Sequence, residues 1–234
     1  TDRGVVVTEP FRQWVVEDRF AAGRPAWERA GAVLTADVAP YEAMKLRLLN
    51  GSHSTLAYLG ALAGHAHVAD AMADPGIADV VAHLMADDVE PTLAVPDGYD
   101  VAAYQRELIE RFHNPALRHR TVQIAMDGTQ KLPQRLLGTI ADRLAAGAEP
   151  RWACLGVAAW MRYVCTADTV DDPMADRLKE LTATAATPEA TVEALLSQKE
   201  VFGEELPEDE RFRALVTDSL EALTKGGVAA ATRL

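Results

Sequence analysis

The stretch "YEAMKLRLLNGSHSTLAYLG", Tyr41 to Gly60, reads as a long apolar helix that nevertheless carries a lysine, an asparagine and a histidine at the spacing K-x4-N-x2-H. Its apolar residues recur at helical intervals, and Leu, Ala and Met are strong helix formers. Upstream, Asp37 is suited to satisfy free N–H groups and Pro40 is tolerated in a first turn, so the spacing predicts a helix from about Pro40 to Ala63. At about 100° per residue, Glu42, Lys45, Leu49 and His53 fall along one stripe, with Asn50 about 140° round from Lys45. Gly51, directly after Asn50, lowers helix propensity and lets a ligand or another backbone come close.

Outward from this helix the same periodicity recurs. Further helices are expected at about 65–73, 76–87, 100–113, 116–125, 131–146, 150–165, 172–184, 188–197 and 207–225. The breaks "DPG", "AVPDGYD", "HNPA", "AMDGTQKLP", "GAEP" and "ATP" carry the residues that stop helices. Before Pro40, "EPFRQWVVEDRF" and "PAWERAG" read as short helices, and no strand pattern competes after residue 10. The four tryptophans read as core and interhelical anchors, and the tail "GGVAAATRL" is expected to fray. The fold expected is all-α and multi-helical.

The opening "TDRGVVVTEPF" is different: a charged turn and a short β-branched strand. A lone strand has no partner in a helical chain. Residues 1–10 are therefore expected to be a remnant strand of a sheet lying upstream, and residues 11–234 to be the helical domain.

A net charge of −12 and a pI near 4.9 exclude a binder of phosphate backbones or anionic membranes, which needs a basic face. No apolar run reaches the roughly 18–20 residues needed to span a bilayer, and no signal peptide opens the chain, so a soluble, cytoplasmic protein is expected. Cys154 and Cys165 lie eleven residues apart, about 16 Å along a helix, too far for a disulfide. They read as buried thiols of a reducing compartment.

Asn50 and Asn114 are the only asparagines, and five lysines stand against 18 arginines. Where Lys45 and Asn50 occur despite that bias, Arg or Gln does not serve. Chemically, a lysine whose pKa falls on desolvation is a usable base, an Asn amide can donate to a forming alkoxide or carbonyl oxygen, and a His can hold a hydroxyl. Glu42, three residues before Lys45, is placed to accept or relay its proton. Spacing alone leaves two readings open: a catalytic set, or a non-catalytic helical binding module with Lys45 on solvent or paired with Glu42.

The block from "TEPFRQW" to "STLAYLG", followed by "RFHNPALRHRTVQIAMDGTQKLPQR", resembles the C-terminal half of the mannitol dehydrogenase family of long-chain polyol dehydrogenases. The resemblance is dense from about residue 5 to 136 and looser beyond. It implies a 6-phosphogluconate-dehydrogenase C-terminal-like helical substrate domain. It also implies metal-independent, NAD- or NADP-dependent interconversion of a secondary alcohol and a ketone on a linear sugar. By the family's pattern Lys45 is the general base, Asn50 polarises the reacting oxygen and His53 contacts substrate hydroxyls. The cofactor is expected mainly on an N-terminal Rossmann domain of the same protein, since no G-x-G-x-x-G follows a strand in this chain. The chain alone is accordingly expected to be inactive.

Between Arg111 and Arg135 five basic residues face one acid, Asp127, a local balance that points to an anionic ligand. Lys131 matches a substrate-binding lysine of the family, and Arg120 and Arg135 are further candidates. "QIAMDGTQKLPQR" looks more like the members that reduce fructuronate to mannonate than those acting on mannitol or arabinitol. The polyol-specific members are expected to carry an arginine where this sequence has Gln123. Other polar residues read structurally: His65 and His67 point apart, which disfavours a zinc pair, and Asn114 reads as a turn or cap.

Overall fold

In the computed structural model, which describes residues 3–5 and 11–233, the sixteen-residue helix Arg151–Thr166 runs through the centre of the chain. In chain order, β1 (Val15–Glu17) and β2 (Val33–Thr35) are followed by α1 (39–62), α2 (Val68–Met72), α3 (75–89) and α4 (Val101–Phe112). Then come α5 (Thr121–Ala125), α6 (128–145), α7 (Arg151–Thr166), α8 (Ala175–Thr182), α9 (Pro188–Leu196), α10 (Lys199–Phe202), α11 (Glu210–Gly226) and α12 (Val228–Ala231). The all-helical expectation holds, with a small two-stranded sheet, the one sheet among the described residues, at the N-terminal end. Among the described residues no helix is long and apolar enough to cross a membrane.

Every residue of α7 from Ala153 to Met161 is buried, because α11 covers one of its sides and the second half of α1 another. The α1–α7 crossing is close: a Cβ at Gly156 would lie 2.5 Å from Thr55 Oγ1. Trp160, 1% exposed, fills the centre against Phe202.

Three helices contain a wide, π-type turn: residues Lys45–Gly51 in α1, Leu84–Val89 in α3 and Pro133–Leu137 in α6. Proline accounts for the third. Pro133 has no N–H for the helical ladder and its ring crowds the carbonyl four residues back, so the helix widens there and continues. The turns of α1 and α6 pack on one another.

The structure corrects the sequence reading in several places. Residues Val15–Glu17 form a strand where a short helix was expected, because β-branched Val15 and Val16 pair in parallel with Val33 and Leu34. That partner lies beyond any local periodicity. Trp14 is 54% exposed and forms with Phe20 and Trp27 an aromatic cluster outside the core, while Trp152 stacks on His83 near the surface. Trp160 alone of the four is fully buried, and Trp152 is partly buried and packed against the core. Cys154 is buried, but Cys165 is exposed at the end of α7. The tail forms α12, held by buried Val228 and Ala231. The helix expected at 116–125 is broken by Arg118, whose φ of 49° is left-handed, leaving a short 3-10 turn and α5. The opening strand expected within residues 1–10 lies outside the described residues, apart from Arg3–Val5.

One buried acid ties α3 to α7. Asp88, 1% exposed, accepts the Ala153 N–H at 2.8 Å at the start of α7, where Pro150 offers no side-chain cap. Burial pushes its carboxyl up to about 6, against 3.8 for an ordinary aspartate. The folded state therefore holds this proton more tightly than the unfolded one between those pH values, and stability falls as pH rises through the window, by on the order of 2–3 kcal/mol. Asp88→Asn is expected to flatten that slope. Urea unfolding at pH 4.5 and 7 checks it, and equal slopes in wild type and variant would refute the assignment.

Candidate active site

The helix that carries K-x4-N-x2-H is built as expected at its start. Asp37 Oδ1 accepts the Ala39 N–H at 2.9 Å and Pro40 sits in the first turn. Its phase is not as expected. The wide turn begins at Lys45 and ends at Gly51, and a turn closed over five residues takes up one more than an α-turn. The residues after Lys45, Asn50 among them, therefore do not keep the phase of a regular helix. Gly51 serves the approach of a backbone: a Cβ there would lie 2.6 Å from the Arg135 carbonyl oxygen.

Asn50 and His53 open into a pocket of about 160 Å³ whose other walls come from α2, α4 and the loop after α4. Leu49, Val68, Phe112 and Leu117 give it apolar surface, while Arg111, Asn114 and His119 give it polar surface. Both asparagines of the chain thus line one pocket. Asn114 also caps the 3-10 turn after it, accepting the Ala116 N–H at 3.0 Å, as the sequence reading assigned.

The His53 ring stacks on Phe112 with centroids 5.1 Å apart and stands 5.8 Å from His119. Its Nε2 is buried without a hydrogen-bond partner among the described residues. Burial first, then the positive charge of His119, Arg135, Arg111 and Lys131, lowers its pKa to about 4. At neutral pH this is a neutral imidazole with one ring nitrogen unpaired, able to exchange a hydrogen bond with a ligand hydroxyl.

Lys45 and Glu42 are exposed, lie outside this pocket, and make no ion pair with each other. Lys131 sits on α6, where its ammonium donates to the carbonyls of Met126 and Ile124 and lies 3.7 Å from Asp127. Burial, then the nearby Arg135, holds it below the usual lysine value. Its loop is clamped by buried Asp172, which accepts from the Thr129 N–H at 2.8 Å and hydroxyl at 2.6 Å. Arg135 is half-buried and donates to Ser54 Oγ at 2.9 Å.

Arg120 and Gln123 are exposed and line a separate, wider groove of about 950 Å³ with Tyr163, Asp168 and Asp171. The two concavities lie on either side of a short antiparallel contact, in which Val68 N–H donates to His119 O and Thr121 N–H to Ala66 O. His65 and His67 face different carboxylates, Asp74 at 3.9 Å and Asp70 at 3.2 Å. The sequence reading had not singled out Phe112, whose stacking on His53 joins residues 59 apart in the chain. The rarity of asparagine was the one signal that pointed at both walls.

The family described as the mannitol dehydrogenase C-terminal domain matches residues 37–224. The uncharacterized oxidoreductase YdfI of Escherichia coli is 48% identical over 98% of this chain and 48% of its own length. D-mannonate oxidoreductase of Escherichia coli is 46% identical over 97% of the chain and 48% of its own length. Among solved structures, mannitol 2-dehydrogenase of Pseudomonas fluorescens in ternary complex with NAD and D-mannitol superposes with a TM-score of 0.88 at 37% identity. That match covers 96% of this chain and 46% of the neighbour. The chain spans about half the length of the curated relatives it matches. It belongs to the mannitol dehydrogenase family of oxidoreductases, as that family's helical C-terminal domain.

Proposed function

We propose that the protein carrying this chain is an NAD(P)-dependent oxidoreductase that interconverts a secondary alcohol and a ketone on a linear sugar acid, with D-fructuronate and D-mannonate ahead of mannitol or arabinitol. The observation that supports it most is the pocket of Asn50 and His53, with the unpaired Nε2 of His53 buried beside four positively charged or chargeable groups. Such a field favours a carboxylate-bearing substrate over a neutral polyol. Gln123, where the polyol-specific members are expected to have arginine, agrees with that preference.

The nicotinamide, held by an upstream dinucleotide-binding half, supplies or takes the hydride. This chain contributes the proton and the grip on oxygen. Asn50 donates its amide hydrogens to the reacting oxygen, His53 holds a neighbouring hydroxyl, Lys45 moves the proton and Glu42 relays it. Nothing among the described residues covers Lys45, so the desolvation that makes a lysine a base comes from the surface that closes over it. Lys131, committed to backbone carbonyls, borders the substrate as a fixed charge. No role for a metal is proposed.

The exposure of Lys45 is the one observation that favours the alternative, a non-catalytic helical module. Assay of the longer enzyme with fructuronate, fructose, mannitol and arabinitol, each with NAD and NADP forms of the cofactor, separates the readings. The expected result is a kcat/KM for fructuronate higher than for fructose by about tenfold or more. Comparable rates on fructose would overturn the substrate ranking, and no turnover of any of the four would favour the module.

A further inference from the structure

The wide turns of α1 and α6 meet where the pocket is built, and one side chain crosses the junction. From its backbone contact with Gly51, Arg135 turns along α1: Nη1 donates to Ser54 Oγ at 2.9 Å and reaches the Asn50 carbonyl oxygen at 3.5 Å. Ser54 is 1% exposed and Arg135 half-buried. A wide turn leaves carbonyls poorly placed for the helix's own N–H groups, so an outside donor at Asn50 holds the irregular turn in place.

Its charge is the second observation. Acids outnumber Lys and Arg by 35 to 23 in this chain, and other arginines take carboxylate partners, Arg24 with Asp18 and Glu28, Arg47 with Asp142, and Arg213 with Glu193. Arg135 has none among the described residues and is held by neutral oxygens alone. The ionisable groups it is seen to interact with are Tyr58, Lys131 and His53, none of which brings a negative charge at neutral pH. A half-buried guanidinium without a counter-charge is costly unless something negative offsets it in the working state.

We propose that Arg135 is a positioning residue of the site: it fixes the wide turn through the Asn50 carbonyl and the Ser54 hydroxyl, and its unneutralised charge stands behind Asn50 and His53 to meet negative charge arriving with, or developing on, the substrate. The proposal rests on the reading of Asn50 and His53 as substrate-facing. It differs from the sequence expectation, in which Arg135 touched the substrate itself.

His53 reports on both parts. Against its ring lie Phe112 from α4 and His119 from the segment before α5, and the charges of Arg111 on α4 and of Lys131 and Arg135 on α6 also act on it. Nuclear magnetic resonance titration of the His53 imidazole in the 234-residue chain, in wild type, Arg135→Gln and Arg135→Lys, tests the charge. Wild type is expected to titrate near 4, the Gln variant measurably higher, and the Lys variant close to wild type. In the longer enzyme, kcat is expected to fall about 100-fold in the Gln variant and to recover at least about tenfold in the Lys variant, with smaller changes in KM. An unmoved His53 titration in Arg135→Gln, or a Lys variant no better than Gln, overturns the proposal.

Ser54→Ala removes the grip and keeps the charge, and guards against a Gln variant that fails to fold. It is expected to leave the His53 titration in place and lower kcat about three- to tenfold. Unchanged kcat there overturns the gripping role. Should His53 shift as expected while Lys45→Ala remains active, it is the catalytic reading that fails and the role of Arg135 in the site that stands.

Discussion

Lys45→Ala is expected to lower kcat by about 1,000-fold in the enzyme assembled with its dinucleotide-binding half, because a positioned general base contributes roughly that much to a proton transfer. NADH affinity is expected to stay within about twofold, since Lys45 lies on α1 and the proposal places the cofactor mainly on the other half of the enzyme. Lys45→Arg sharpens the test. A guanidinium keeps the charge but does not give up its proton near neutral pH, so the Arg variant should be impaired nearly as severely as the Ala variant. The helical-module reading predicts instead that both changes are silent, as they are for most exposed lysines. Stopped-flow turnover and NADH fluorescence titration measure the two quantities, and near-normal kcat in either variant would sink the assignment of Lys45 as the base.

Gly51→Ala is the second large effect. In an ordinary helix this change gains about 1 kcal/mol of propensity. Here the new methyl would lie 2.6 Å from the Arg135 carbonyl oxygen, which belongs to backbone and has no flexible end to swing aside. The two wide turns must separate, and overpacking of this kind costs about 1–3 kcal/mol, enough to cancel or reverse the gain. The functional cost is expected to be larger. Opening the crossing displaces Asn50 and loosens the Arg135 contacts, and a misplacement near 1 Å at a reacting centre costs about 100-fold in rate. Thermal unfolding and steady-state kinetics together decide it: a variant more stable than wild type, with unchanged kcat/KM, would show that the close approach has no consequence for the site.

Much of the helical framework was legible because its signals are local. Apolar spacing and the breaks at Pro, Gly, Asn and Asp placed the long helices, and "RWACLGVAAWMRYVC" reads as a buried helix and is one. The elements that were missed depend on partners. Val15 and Val16 become a strand only because Val33 and Leu34 lie beside them. Trp14 and Trp27 read as core residues by type, yet they pack on each other, and Trp27 edge-on against Phe20, outside the core. The tail, expected to fray, is held by burial of Val228 and Ala231.

For the site, the sequence by itself determined the residue types, their order on one helix and the family to which they belong. Rarity of Asn and Lys marked Asn50, Asn114 and Lys45, and the K-x4-N-x2-H spacing set Lys45 and His53 on one stripe of a helix with Asn50 off it. Only the tertiary structure decided how they are aimed. Regular helical geometry turned Asn50 away from Lys45. The wide turn, packed against a second wide turn at Pro133 in α6, breaks that regular phase, and Asn50 faces the pocket with His53 while Lys45 stays outside it. The same packing parted the basic block, leaving Arg120 and Gln123 on another groove while Lys131 and Arg135 came to lie behind His53. The physical reason is that helical phase is set by hydrogen bonds along the chain only while the helix stays regular. Where two irregular turns interlock, the contact between them sets the phase, and that contact joins residues more than 80 positions apart.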